Sequence, residues 1–202
     1  MGRNASLNTT MADHVRVSAW PAADSLEDAS LVEAARRGDR RAFGMLYDRY
    51  ARMVHGILLA RVPATEVEDM VHDVFLAAMP RLSSLRDDHR FGAWLAAIAR
   101  NRANDYHRRS FSSGTQAALD DGIPDLSSGA RERGEAAAIL SVIQSLPDAY
   151  RETLILRLVE GMTGPEIAQR TGLTPGSVRV NLHRGMQQLR EKLGVEDDTK
   201  GE

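Results

Sequence analysis

Between residues 31 and 59 the apolar residues Phe43, Leu46, Tyr47, Tyr50, Val54, Ile57 and Leu58 recur at the three- and four-residue intervals of an α-helix. Gly38-Asp39 interrupts this stretch and predicts two helices rather than one. After Pro63, Thr65 and Glu68 form a T-x-x-E capping box that predicts a new helix with the stripe Val67, Met70, Val71, Val74, Phe75 and Ala78. Ser83 to Asp88 reads as a polar loop. A third long helix then carries Phe91, Trp94, Leu95, Ile98 and Ala99 on one face and ends in a basic run at Arg109. These helices predict a first domain over residues 26–109, preceded by an aperiodic leader, 1–25. Ser112-Ser113-Gly114, Asp120-Asp121-Gly122, Pro124 and Ser127-Ser128-Gly129 mark residues 110–134 as a flexible linker. Helical period resumes with Ile139, Leu140, Ile143 and Leu146, then near Pro147 with Leu154, Ile155, Leu158 and Val159 facing inward. A second domain over 135–194 and an acidic tail, 195–202, complete the chain. The fold class expected is all-α: two small helical domains joined by a flexible linker, the C-terminal one containing a helix-turn-helix.

That motif spans residues 163 to 184, TGPEIAQRTGLTPGSVRVNLHR. Thr163 and Glu166 form a capping box, and Ala168 is small where two helices must cross. Gly172 suits the positive φ of a tight interhelical turn, and Leu173 plugs the core. Thr174 caps the next helix, with Pro175 at its first position, where a missing N–H costs nothing. Val178 and Leu182 point back into the core. Ser177, Arg179, Val180, Asn181, His183 and Arg184 lie off that stripe, where a recognition helix meets the major groove. Arg can read guanine and Asn adenine, each good pair discriminating by roughly 1 to 3 kcal/mol. The alternative is a merely solvated polar surface, but the caps, Ala168, Gly172 and Val178 together favour DNA binding.

Composition narrows the classes. Hydrophobic residues make up 43% of the 202 residues, enough for packed cores, while aromatics at 5% favour helices over sheets. The chain has no cysteine, which excludes disulfides and thiolate metal sites and fits a reducing cytosol. No apolar run approaches the roughly 20 residues of a membrane span, and Met1 to Pro21 lacks signal-peptide character. A cytoplasmic protein without membrane contact is expected. The formal charge of −2 conceals two basic groups: Arg100, Arg102, Arg108 and Arg109, then Arg179, Arg184, Arg190 and Lys192. Two small basic patches on a slightly acidic chain predict weak DNA binding alone and useful binding when a partner positions both.

VEDMVHDVFLAAM (67–79) and FGAWLAAIARNRANDYHRR (91–109) resemble the promoter-melting domain of extracytoplasmic-function (ECF) sigma factors of the sigma-70 family. LPDAYRETLILRLVEGMTGPEIAQRTGLTPGSVRVNLHRGMQQLREKLG (146–194) resembles their C-terminal domain. His72 departs from the Gln common in the family, and Val180 and Asn181 stand where Ser and Arg are frequent.

The resemblance implies a transcription initiation factor, not an enzyme, that needs no cofactor. Its implied partners are core RNA polymerase (the β′ clamp helices and the β flap), promoter DNA and an anti-sigma factor. The first domain would dock on the clamp through Glu68, Asp69, His72 and Asp73, which share one helix side by their spacing; an ordinary solvated face is the alternative. A metal at His72 with Asp69 or Asp73 is disfavoured by the lack of a third His or any Cys. Arg100, Asn101, Arg102, Asn104, Asp105, Tyr106, Arg108 and Arg109 would meet the −10 element, with Ser84 to Arg90, Asn101 and Asp105 holding a flipped base. Trp94 fits core packing better than base stacking, whereas Tyr106 fits either. The second domain would bind the −35 element. The rival readings are a dimeric helix-turn-helix regulator that works without polymerase, and an adaptor that binds proteins only.

Overall fold

The computed structural model describes residues 25–112 and 128–194. Among them the backbone forms eight α-helices and two short 3-10 segments, with no strand. Helices α1 (Ser25–Arg36), α2 (Arg40–Leu59), α3 (Ala64–Ala78) and α4 (Phe91–Ser112) build a first unit. Helices α5 (Ser128–Gln144), α6 (Asp148–Leu158), α7 (Gly164–Thr171) and α8 (Pro175–Leu193) build a second. Of the leader expected at 1–25 only Ser25 is described, as the first residue of α1. The core of the expected linker and the acidic tail lie outside the described residues.

Gly38 adopts φ 97°, and the Asp39 side chain accepts from the backbone N–H groups of Arg41 and Ala42, so the break between α1 and α2 has both a turn and a cap. The start of α3 differs from expectation. Thr65 lies inside the helix, and the N-cap is Pro63 in an extended conformation with no side-chain cap. A residue with helical backbone cannot occupy the half-in capping position, so the Thr65/Glu68 box does not form. The stretch after α3 is also less loop-like than its composition suggested. It forms 3-10 turns over Met79–Ser84 and Asp88–Arg90, and Leu82 and Leu85 are buried. Arg36 ties it to α1 by donating to the carbonyls of Leu82 (3.3 Å) and Leu85 (3.2 Å) and to the Asp88 carboxylate.

In the second unit the Thr163 side chain accepts from the Glu166 N–H while the Glu166 carboxylate accepts from the Thr163 N–H, a complete capping box. Gly172 ends α7 with φ 76°, and Thr174 caps α8 by accepting from the Ser177 N–H. Gly185 lets α8 cross α6 closely, since a Cβ there would lie 3.1 Å from Leu154. The inward set on α6 needs one correction. Leu154 and Ile155 are buried, but Val159 lies beyond the helix end and is exposed, while Leu156 is fully buried.

Leu156 is buried because the two units pack together. Glu152, Thr153, Leu154, Ile155 and Leu156 are all buried, and five consecutive helical residues cover more than one full turn, so the middle of α6 is enclosed on every side. It lies between α8 of its own unit and α2 of the first, and α7 packs on α4.

Candidate nucleic-acid interface

Ser177, Arg179, Val180, His183 and Arg184 are exposed on α8, and Asn181 is half-buried beside them. Val178, buried at the same end, holds this face outward. The Ser177 hydroxyl lies 2.8 Å from the Thr174 hydroxyl, so it belongs partly to the cap. Arg179, Arg184, His183 and Asn181 form a polar face on the second helix of a helix-turn-helix, able to reach phosphates and base edges.

On α4 the basic run separates into two environments. Asn101, Asn104, Arg108 and Arg109 are exposed, while Arg100, Arg102, Asp105 and Tyr106 are half-buried. Asp105 pairs with Arg108. Asn101, Asn104, Asp105 and Arg108 line a cleft of about 440 Å³ together with Arg81 from the preceding 3-10 segment. Its lining offers amide donors and acceptors, a carboxylate and two guanidinium groups. Leu85 to His89, from the segment expected to hold a flipped base with Asn101 and Asp105, line a second cleft with Ala29, Ser30, Glu33 and Arg36 of α1. Arg100 points toward the second unit: its Nε and Nη2 donate to the Glu152 carboxylate at 3.1 and 2.7 Å. Trp94 is half-buried against the core, its ring 5.9 Å from that of Phe91.

Glu68, Asp69, His72 and Asp73 are all exposed on one side of α3. The His72 ring is oriented by the Glu68 carbonyl (Nδ1, 3.0 Å) and the Tyr47 hydroxyl (Nε2, 3.4 Å). Among the described residues no three His, Cys, Asp or Glu side chains gather as a metal site would require. One turn further along, Leu76 is 70% exposed, with Met79 and Met45 also exposed. These apolar residues were passed over in the sequence, although Leu76 falls off the buried stripe and at i+4 and i+3 from His72 and Asp73.

The polar contacts between the units were not foreseen. Glu152, 4% exposed, meets Arg100 and also Arg61 at 2.7 Å. Glu160, 5% exposed, meets His55 Nδ1 at 2.7 Å and Arg52 Nε at 3.4 Å. The hydrogen bond with Glu160 raises the His55 pKa above its ordinary value, against the opposing effect of burial. Arg170, at 1% exposure, donates to the Arg49 carbonyl at 2.9 Å, and burial lowers its pKa.

The Sigma-70 region 2 family model matches residues 46–111, and the Sigma-70 region 4 model matches residues 136–189. The chain belongs to the ECF subfamily of sigma-70 factors. It is 30% identical over 185 residues to the ECF RNA polymerase sigma-E factor of Escherichia coli K12, covering 84% of its own length and 96% of that relative. It is 31% identical over 192 residues to the RNA polymerase sigma factor CnrH of Cupriavidus metallidurans, covering 85% of this chain and 98% of CnrH. A solved structure of CnrH in complex with the cytosolic domain of CnrY superposes with a TM-score of 0.60 at 28% identity, over 85% of this chain and 99% of that one. As a sigma factor the chain is a transcription initiation factor, and its helix-turn-helix lies in the DNA-binding region 4. Among the described residues no helix is long and apolar enough to cross a membrane.

Proposed function

We propose that this sigma factor works in the cytoplasm by binding core RNA polymerase, reading a −35 duplex with α8 and opening a −10 element on α4, with no covalent chemistry of its own. The observation that carries the reading is the pairing of two separate polar surfaces in one chain. One is a cationic recognition helix built for duplex. The other is an amide- and guanidinium-lined cleft at Arg81, Asn101, Asn104, Asp105 and Arg108, suited to an unstacked base. Arg179, Val180, Asn181, His183 and Arg184 face the major groove, with Ser177 at the margin. Arg102, Arg108 and Arg109 neutralise phosphates, and Tyr106 supports the cleft from its half-buried position.

The acidic side of α3 with Leu76 and Met79 suits a basic, partly apolar coiled coil such as the β′ clamp helices, while the second unit would meet the β flap. The structural likeness to CnrH, whose solved structure holds the cytosolic domain of CnrY, supports a protein antagonist of the anti-sigma kind here too. The reading is tested by replacing Arg179 and Arg184, or Asn101 and Asp105, with Ala in polymerase holoenzyme. The first pair should weaken closed-complex formation on duplex promoter. The second should leave it intact but impair opening, with partial rescue by a pre-melted −10 bubble. Equal failure of both at the closed complex would refute the division.

A further inference from the structure

The buried positions of α8 fall on one stripe: Val178, Gly185 and Leu189, with Leu182 packed beside them. Each residue of an α-helix turns the next by about 100°. Two steps from Val178 therefore bring Val180 about 200° round, opposite that stripe. Within the first two turns of α8 it is the side chain that points most directly away from the core, and it is 45% exposed. Its neighbours round the exposed face are polar. Ser177 and Arg184, at i−3 and i+4, flank it on one side, and Arg179 and His183 flank it on the other.

Single apolar residues are ordinary on protein surfaces, so exposure alone gives Val180 no role. Its place does. Among the described residues of the second unit, the other large apolar side chains in the open are Val159, just beyond α6, and Leu193, the last residue of α8. Both lie at helix ends, whereas Val180 stands inside a helix at the centre of a cationic face. Gly176, one turn earlier on the same face, is a second observation. Its φ is not positive, and a Cβ there would meet only the Thr174 hydroxyl oxygen, at 4.0 Å. Neither turn geometry nor packing within the chain calls for glycine at that position. Glycine also serves where an outside surface approaches the backbone closely.

We propose that Val180 is a specificity-determining residue that reads the 5-methyl group of a thymine in the −35 element, selecting a T·A pair in one orientation. The inference rests on the reading of α8 as the −35 helix. In the major groove the base edges carry hydrogen-bond donors and acceptors, and thymine alone of the four bases adds an apolar methyl group. Arg179 and Arg184 suit guanine and Asn181 suits adenine, but none of them gains from a methyl. Val180 offers two methyl groups on a side chain that already holds one preferred rotamer in a helix, so little freedom is lost on contact. Burial withdraws apolar surface of both partners from water. A 5-methylcytosine carries the same group on the same ring position; thymine is the base that supplies it in unmodified DNA.

The test uses holoenzyme formed with the full chain and a promoter duplex selected by that holoenzyme from a pool randomised over the −35 region. Each thymine of the selected element is replaced in turn by uracil, which lacks only the methyl group, and closed-complex affinity is measured. One position should lose about fourfold, the change for one methyl-sized group kept from burial. Val180→Ser, close to valine in helix propensity, should bind the thymine duplex as weakly as the wild type binds the uracil duplex. It should also show no difference between the two bases at that position. No loss at any thymine overturns the proposal and leaves Val180 as solvated surface. A loss that persists in Val180→Ser overturns it too, because another residue then meets the methyl. A gain on 5-methylcytosine without any loss on uracil overturns thymine in favour of the modified base. Arg179→Ala with Arg184→Ala on the same duplexes tests the −35 reading itself. Undiminished affinity in that variant sinks the reading, whereas a loss there without a uracil effect sinks only the role of Val180.

Discussion

The guanidinium of Arg170 lies over the ring of Tyr50, 5.1 Å from its centroid, and joins the helix-turn-helix to the middle of α2. The Tyr50 hydroxyl donates in turn to the Asp28 carboxylate of α1 at 2.6 Å, and Arg49 pairs with the same carboxylate. A charged side chain from one unit thus completes a polar network in the other. Arg170→Ala should separate the units while leaving the Tyr50–Asp28 bond in place. The helix content should stay unchanged, whereas small-angle scattering should report a larger radius of gyration.

Tyr50→Phe removes a hydrogen bond to a buried carboxylate without removing the ring from beneath Arg170. The loss should be about 1.5–3 kcal/mol, the range for a bond to a charged group. Urea unfolding of the full chain, compared with the wild type, measures it. A loss below about 0.5 kcal/mol would mean that Arg49 alone satisfies Asp28.

The His55–Glu160 contact makes closure depend on pH. His55 faces Glu160 across the interface, Glu68 of α3 adds a favourable field, and Arg52 on its own helix opposes it. The His55 pKa is raised in the closed form, so its contribution is fully present below the ordinary imidazole value of about 6.5. It is lost as pH rises through the raised value. The full chain, labelled with a fluorescent dye pair through Ala64→Cys and Glu191→Cys, two exposed positions, should therefore be more open at pH 8.5 than at pH 6, and His55→Gln should flatten that difference. A pH response that survives His55→Gln would assign it to another group.

Gly38 and Gly172 both need positive φ, at 97° and 76°, but they differ in surroundings. A Cβ on Gly38 meets nothing within 4 Å, whereas one on Gly172 meets Ala93 of the other unit. Each Gly→Ala change should cost about 1–3 kcal/mol through backbone strain. Only Gly172→Ala should also alter the distance between the units, read by energy transfer.

On α3, Asp69→Lys with Asp73→Lys should weaken association with core polymerase and leave thermal unfolding nearly unchanged, because exposed substitutions usually cost under about 0.5 kcal/mol. Leu76→Asp should weaken it further if the exposed leucine is part of the contact. Normal core binding by both variants would reduce this side of α3 to solvated surface.

The local rules of the chain were written in its residues. Apolar spacing predicted helices and their buried stripes, Gly38-Asp39 marked a break, and Thr163, Glu166, Gly172 and Thr174 specified the helix-turn-helix, because caps and turns are decided by neighbours within four residues. Thr65 shows the limit of that reasoning: the capping pattern was present, but Pro63 set the start of α3 two residues earlier. What only the tertiary structure decided is how the units meet. Glu152, Glu160 and Arg170 are buried by partners more than 50 residues away, and nothing in their immediate sequence distinguishes them from solvated positions. The same holds for Arg100, which looked like one more cation in a DNA-facing run. Its partner is set by the packing of α6 against α2 and α4, a long-range event that no local periodicity encodes.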